Sequence, residues 1–145
     1  MFITEPTLQA AEEMNKLATA TIVEFTSTDL SAVPQPIVGK ATNLLFEIGS
    51  NSKNTLDSIT DLYNLEEDDG DALDRIQHRI ASPDKDLMSL CGDAKYAIEL
   101  IVNMTSNSSI KATLESILKN LAKISNLCEE FTMHMIADFR SILFD

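Results

Sequence analysis

Glu130, His134 and Asp138 stand four residues apart near the C-terminus. On an α-helix that spacing puts all three on one face, where two carboxylates and an imidazole could hold zinc or half of a di-metal centre. Carboxylate-bridged bundles, however, draw their ligands from Glu-x-x-His motifs on two helices. The only other histidine, His78, lies between Arg75 and Arg79, whose charge repels a cation. The stripe therefore reads as the polar flank of a helix, and no metal or other cofactor is expected.

The densest chemistry lies earlier. Asp57, Asp61, Glu66, Glu67, Asp68, Asp69, Asp71 and Asp74 place eight carboxylates ahead of Arg75. A calcium loop combines such acids with a central glycine. With Gly70 at loop position six, Leu65 falls at position one and Ile76 at position twelve, and neither offers an oxygen. The EF-hand reading fails on two essential ligands. What remains is a concentrated negative field, suited to steering a Lys/Arg-rich surface as a phosphate backbone would. Asp61, Glu66, Glu67, Asp68, Asp69, Asp71 and Asp74 form the candidate partner-binding set, against the alternative of a solvated loop with no partner.

Nucleophilic chemistry finds no support. Cys91 and Cys128 sit on apolar faces of two different predicted helices, and no Gly-x-Ser-x-Gly, phosphate loop or dinucleotide fingerprint occurs. No enzyme is expected. The first residues carry neither a basic region nor an apolar run, so the expected setting is cytoplasmic, with both thiols reduced and packed as small core residues.

The whole-chain charge agrees with a protein partner. With 23 acidic and 11 basic residues the formal net charge is −12, which opposes direct contact with nucleic acid and suits a basic protein surface. The length, 145 residues, fits one domain spanning 1–145 with a core of its own. Only four glycines and four prolines interrupt it, which favours an all-α chain.

The elements that must position these residues follow from apolar spacing. Leu114, Ile117, Leu121, Ile124, Cys128, Phe131, Met135, Asp138 and Ile142 recur at steps of three and four, the seam of a helix packed along its neighbours. A continuous helix over the 36 residues from Ile110 to Asp145 would be about 54 Å long. A spherical domain of this size has a radius of gyration of only about 14 to 15 Å, so an elongated bundle or a second chain must cover the seam. Asp138 is its one polar member, a device that can fix register or oligomeric state. On that reading Asp138→Leu raises stability and blurs stoichiometry.

Upstream, Thr4 caps a first helix with Pro6 in its first turn, and a short strand competes for the β-branched stretch Thr19 to Val23. Thr28 to Pro36 reads as a loop. Helical patterns follow at Ile37–Ile48 and Leu56–Tyr63, then a short helix over 72–81, then one opened by Ser82 and Pro83. Ser108 or Ser109 caps the last. Lys53 to Ile59 echoes Lys111 to Ile117, each copy preceded by Ser-Asn-Ser, at 50–52 and at 106–108. Such polar clusters favour turns, so the echo favours a break at both sites, against the alternative that Gly49 to Ser52 is tolerated inside one long helix.

The fold expected is an all-α, elongated bundle of five or six helices with a long C-terminal helix at about 110–145. The function expected is that of a small non-enzymatic interaction protein that occludes a basic site on a larger, nucleic-acid-handling protein, as phage- or plasmid-encoded antagonists do. Phe131, Met135, Asp138, Phe139, Ile142 and Leu143 are the candidate groove for self-association, giving a homodimer, or for a partner. The alternative is a dimeric adaptor or a secretion or assembly chaperone that holds a client on apolar helix faces. No membrane contact is expected.

Overall fold

A computed structural model describes residues 3–65, 70, 71, 74 and 86–144, excluding the side chains of 142–144. The described residues form four helices and no strand: α1 Glu5–Thr26, α2 Gln35–Tyr63, α3 Leu87–Met104 and α4 Ser108–Phe144. Each helix packs on two others in a closed ring, α1 on α2, α2 on α3, α3 on α4 and α4 on α1. Ser27 to Pro34 link α1 to α2 and Thr105 to Asn107 link α3 to α4; links so short fix both pairs as antiparallel. Thr4 and Thr7 meet Asp138 while Glu24 meets Asn120, so α1 and α4 are antiparallel too.

Those contacts also set a stagger. The 37-residue α4 spans about 55 Å at the usual rise. Helix α1 lies along its C-terminal half, Asn120 to Asp138, and the 18-residue α3 lies along its N-terminal half. No helix of the described residues is long and apolar enough to cross a membrane.

The seam read from spacing is the inward face of α4. Leu114, Ile117, Leu121, Ile124, Cys128 and Phe131 are buried, and Met135 and Phe139 are half-buried against the same core. From the other helices Met14, Phe25, Leu45, Ile48, Ile59, Leu62, Leu90, Ile98 and Ile101 complete it. Leu30 and Val33, on the α1–α2 link, are buried as well.

The expectation of five or six helices is corrected in part by α2. The patterns at Ile37–Ile48 and Leu56–Tyr63 belong to one helix of 29 residues that runs straight through Gly49 to Ser52. There the Ser52 hydroxyl is buried and donates to the Gly49 carbonyl at 3.0 Å, folding its polarity back onto its own helix instead of opening a turn. Gly49 faces α1 so closely that a Cβ would sit 2.7 Å from Ile22 Cδ1. The second Ser-Asn-Ser does break the chain. Asn107 turns outward and accepts from the N–H groups of Ser109 at 2.9 Å and Ile110 at 3.1 Å. The cap of α4 is thus Asn107, neither Ser108 nor Ser109, because its longer side chain reaches two orphan donors.

Other boundaries shift by a residue or two. Pro36 belongs to the first turn of α2, where its missing N–H costs nothing. Thr19 to Val23 are helical, and Thr21, buried, satisfies its hydroxyl on the Leu17 carbonyl at 2.7 Å. The cap of α3 is Asp86, which accepts from the Met88 N–H at 3.1 Å. Of the expected helix over 72–81 only Asp74 is described, and it is helical; the Ser82–Pro83 start lies outside the described residues.

Candidate functional site

Asp138 is buried, and its surroundings explain why a carboxylate stands on an apolar seam. It faces the first turn of α1. Its Oδ2 accepts from the Thr7 hydroxyl at 2.7 Å and from the Thr4 N–H at 2.9 Å, and the Thr4 hydroxyl reaches Oδ1 at 3.0 Å. The carboxylate thereby caps a helix on another part of the chain and lies at the positive end of its dipole. The polar seam residue fixes the register of α1 on α4 within one chain. This reverses the expected gain from Asp138→Leu, since that change would strand two hydroxyls and an amide.

The remaining members of the stripe do not join it. Glu130 and His134 are exposed while Asp138 turns inward, and no group of three or more metal-ligating side chains occurs among the described residues. The apolar C-terminal set divides. Phe131 is buried and Met135 and Phe139 are half-buried in the chain's own core, whereas Met133 and Ile136 are exposed. The side chains of Ile142 and Leu143 lie outside the described residues. Of the acidic set, Asp61, Asp71 and Asp74 are exposed, and Glu66 to Asp69 lie outside the described residues. Upstream of them, Asp57 pairs with Lys53 at 3.7 Å on the exposed face of α2.

Cys91 and Cys128 are free thiols buried where α3 meets α4. Burial, aided by the neighbouring Cys128 and Asp86, pushes the Cys91 thiol up to about 12. Burial also raises Cys128, with Asp86 and Glu129 adding to it and a hydrogen bond with Thr132 opposing. Neither thiol is poised as a nucleophile.

One surface feature escaped sequence reading. Tyr96, Leu100 and Met104 occur at successive turns of α3 and are 74%, 48% and 46% exposed. Tyr96 and Leu100, with Pro36, Ile37 and Leu44 of α2, line a groove of about 660 Å³ whose charged members are Lys40 and Asp93. The signal was present as i, i+4, i+8 spacing, but the same helix carries a stronger inward stripe of Leu87, Leu90, Cys91, Ala94, Ile98 and Ile101. A second groove, about 460 Å³, runs between α1 and α4 and is lined by Glu13, Lys16, Leu17, Ala20, Lys123, Asn126, Leu127 and Glu130.

Comparison with known proteins finds no matching family model, no matching curated relative and no matching solved structure.

Proposed function

We propose that this chain is a non-enzymatic interaction protein that docks on a basic surface of a larger protein and occludes it. The apolar stripe of Tyr96, Leu100 and Met104 beside the α2–α3 groove carries the reading, because three large apolar side chains in water on successive turns gain free energy only when a partner covers them. Net charge of −12 supplies long-range attraction to a Lys/Arg-rich partner, and the groove supplies buried contact. The partner surface that fits pairs an apolar side-chain row with basic flanks. Asp61 and the acidic stretch Glu66, Glu67, Asp68, Asp69, Asp71 and Asp74 act in steering. Contact area comes from α3 more than from the C-terminal apolar set first expected to provide it.

A second reading, an adaptor or assembly chaperone, is favoured by the same exposed stripe, since a client helix would use it without needing charge. Salt separates the two. Occlusion of a basic site weakens steeply and slows in association as ionic strength rises, whereas an apolar client stays bound.

A further inference from the structure

We infer, resting on the docking reading, that the α2–α3 groove takes an amphipathic α-helix of the partner, apolar on one face and with its Lys or Arg residues gathered at one end. The groove itself is polarised. Helix α1 is antiparallel to α2 and to α4, and α3 is antiparallel to α4, so α3 also runs antiparallel to α2. Among the lining residues, Pro36 and Ile37 therefore stand at the Leu100 end and Leu44 at the Asp93 end. Met104, one turn beyond Leu100, extends the first end as an apolar surface. Glu47, exposed and three residues beyond Leu44 on the same face of α2, extends the second. Asp61 shares that face of α2, about 21 Å farther along the helix. Lys40, the one base among the lining residues, sits on the apolar side of both Asp93 and Glu47.

A segment that enters this groove must satisfy its own backbone. Both walls are sides of helices, whose N–H and C=O groups are bonded within each helix, and no strand edge occurs among the described residues. An extended segment finds no backbone partner there, whereas a helix brings its hydrogen bonds with it. Tyr96, Leu100 and Met104 repeat about every 6 Å, the spacing at which the ridge of a second helix interlocks. Laid along them, the partner helix sets its apolar face on Leu100, Ile37 and Met104. Its basic end then lies over Asp93 and Glu47, where opposite charges meet.

The test uses a designed, fluorescein-labelled peptide of about 18 residues, five helical turns, with leucines on one face and lysines at one end. One companion carries proline at its centre; another carries glutamate in place of each lysine. Fluorescence anisotropy with the full chain at physiological salt is expected to show binding of the first peptide and at least tenfold weaker binding of each companion. Circular dichroism is expected to show that the first peptide gains helix when bound. Leu100→Asp is expected to weaken it at least tenfold, although the added negative charge would strengthen a merely generic attraction, and Glu47→Lys to weaken it severalfold. No binding, equal binding of the proline peptide, no gain of helix, or an affinity unchanged by Leu100→Asp would each overturn the helix. Should the peptide fail while Leu100→Asp still releases a partner captured from the cell, the helix is overturned and docking at the α3 row stands.

Discussion

Thr7 on the first helix and Asp138 on the last are joined by a 2.7 Å hydrogen bond that spans 131 residues of sequence. With the two contacts from Thr4 it ties the start of the chain to the outer half of its longest helix, and so holds α1 against the surface that forms the α1–α4 groove.

Replacing Asp138 by Ala leaves the Thr4 N–H and two hydroxyls without their acceptor. A loss of about 2 to 4 kcal/mol is expected in urea unfolding, most of it recovered in Asp138→Asn, which keeps an accepting oxygen. Asp138→Leu is expected to destabilise as well; a gain would mean that the seam prefers an apolar residue and that the capping contacts contribute little.

Both thiols are held above their ordinary range in the folded chain, so the native state keeps protons that the unfolded chain releases. The stability involved is fully present below the unfolded thiol pKa, near 8.5, and is lost as pH rises toward about 12, the value for Cys91. Alkaline titration of the unfolding midpoint is expected to show a decline beginning near pH 8.5 that is shallower in Cys91→Ala, compared on the slope instead of the absolute midpoint. Thiol-reactive dye at mild pH should label the native chain far more slowly than the denatured one.

The two Ser-Asn-Ser tripeptides should respond unequally to mutation. Asn107→Ala removes a side chain that bonds two helix N–H groups and is expected to cost about 1 kcal/mol. Ser52→Ala removes only a hydroxyl bonded within its own helix and should change stability by less than about 0.5 kcal/mol, as judged by thermal unfolding.

Gly49 and Ile22 should couple. A methyl at Gly49 gains about 1 kcal/mol of helix propensity but meets Ile22 Cδ1 at 2.7 Å, so Gly49→Ala is expected to be close to neutral. In the Ile22→Val background, where that methyl is absent, the same change should stabilise the protein; a double-mutant cycle with no coupling would contradict the close approach.

These contrasts mark what spacing could and could not reveal. The α4 seam was legible because six of its positions face one continuous core and a helix repeats that demand every three or four residues. Thr4 was legible as the residue that opens α1, but its side chain makes no cap hydrogen bond to that helix and its hydroxyl goes to Asp138 instead. Asp138 could be identified as exceptional but not paired, since nothing in the neighbourhood of residue 138 names a threonine at position 7. The twin tripeptides are identical in letters, and only the approach of Ile22 and the burial of Ser52 separate them. At the site, acidity drew attention to Glu66 through Asp74, while the exposed apolar row on α3 was overshadowed by the inward face of the same helix.

Partner contact depends on that row. The direct measurement is quantitative affinity capture from the native cell, comparing wild-type chain with Leu100→Asp, a change at a half-exposed surface position that should leave folding intact. A specific protein with a basic surface is expected to be retained by the wild type, depleted at least tenfold by Leu100→Asp, and released by moderate salt. Equal recovery of the same partner by both chains, or a partner indifferent to salt, would contradict it.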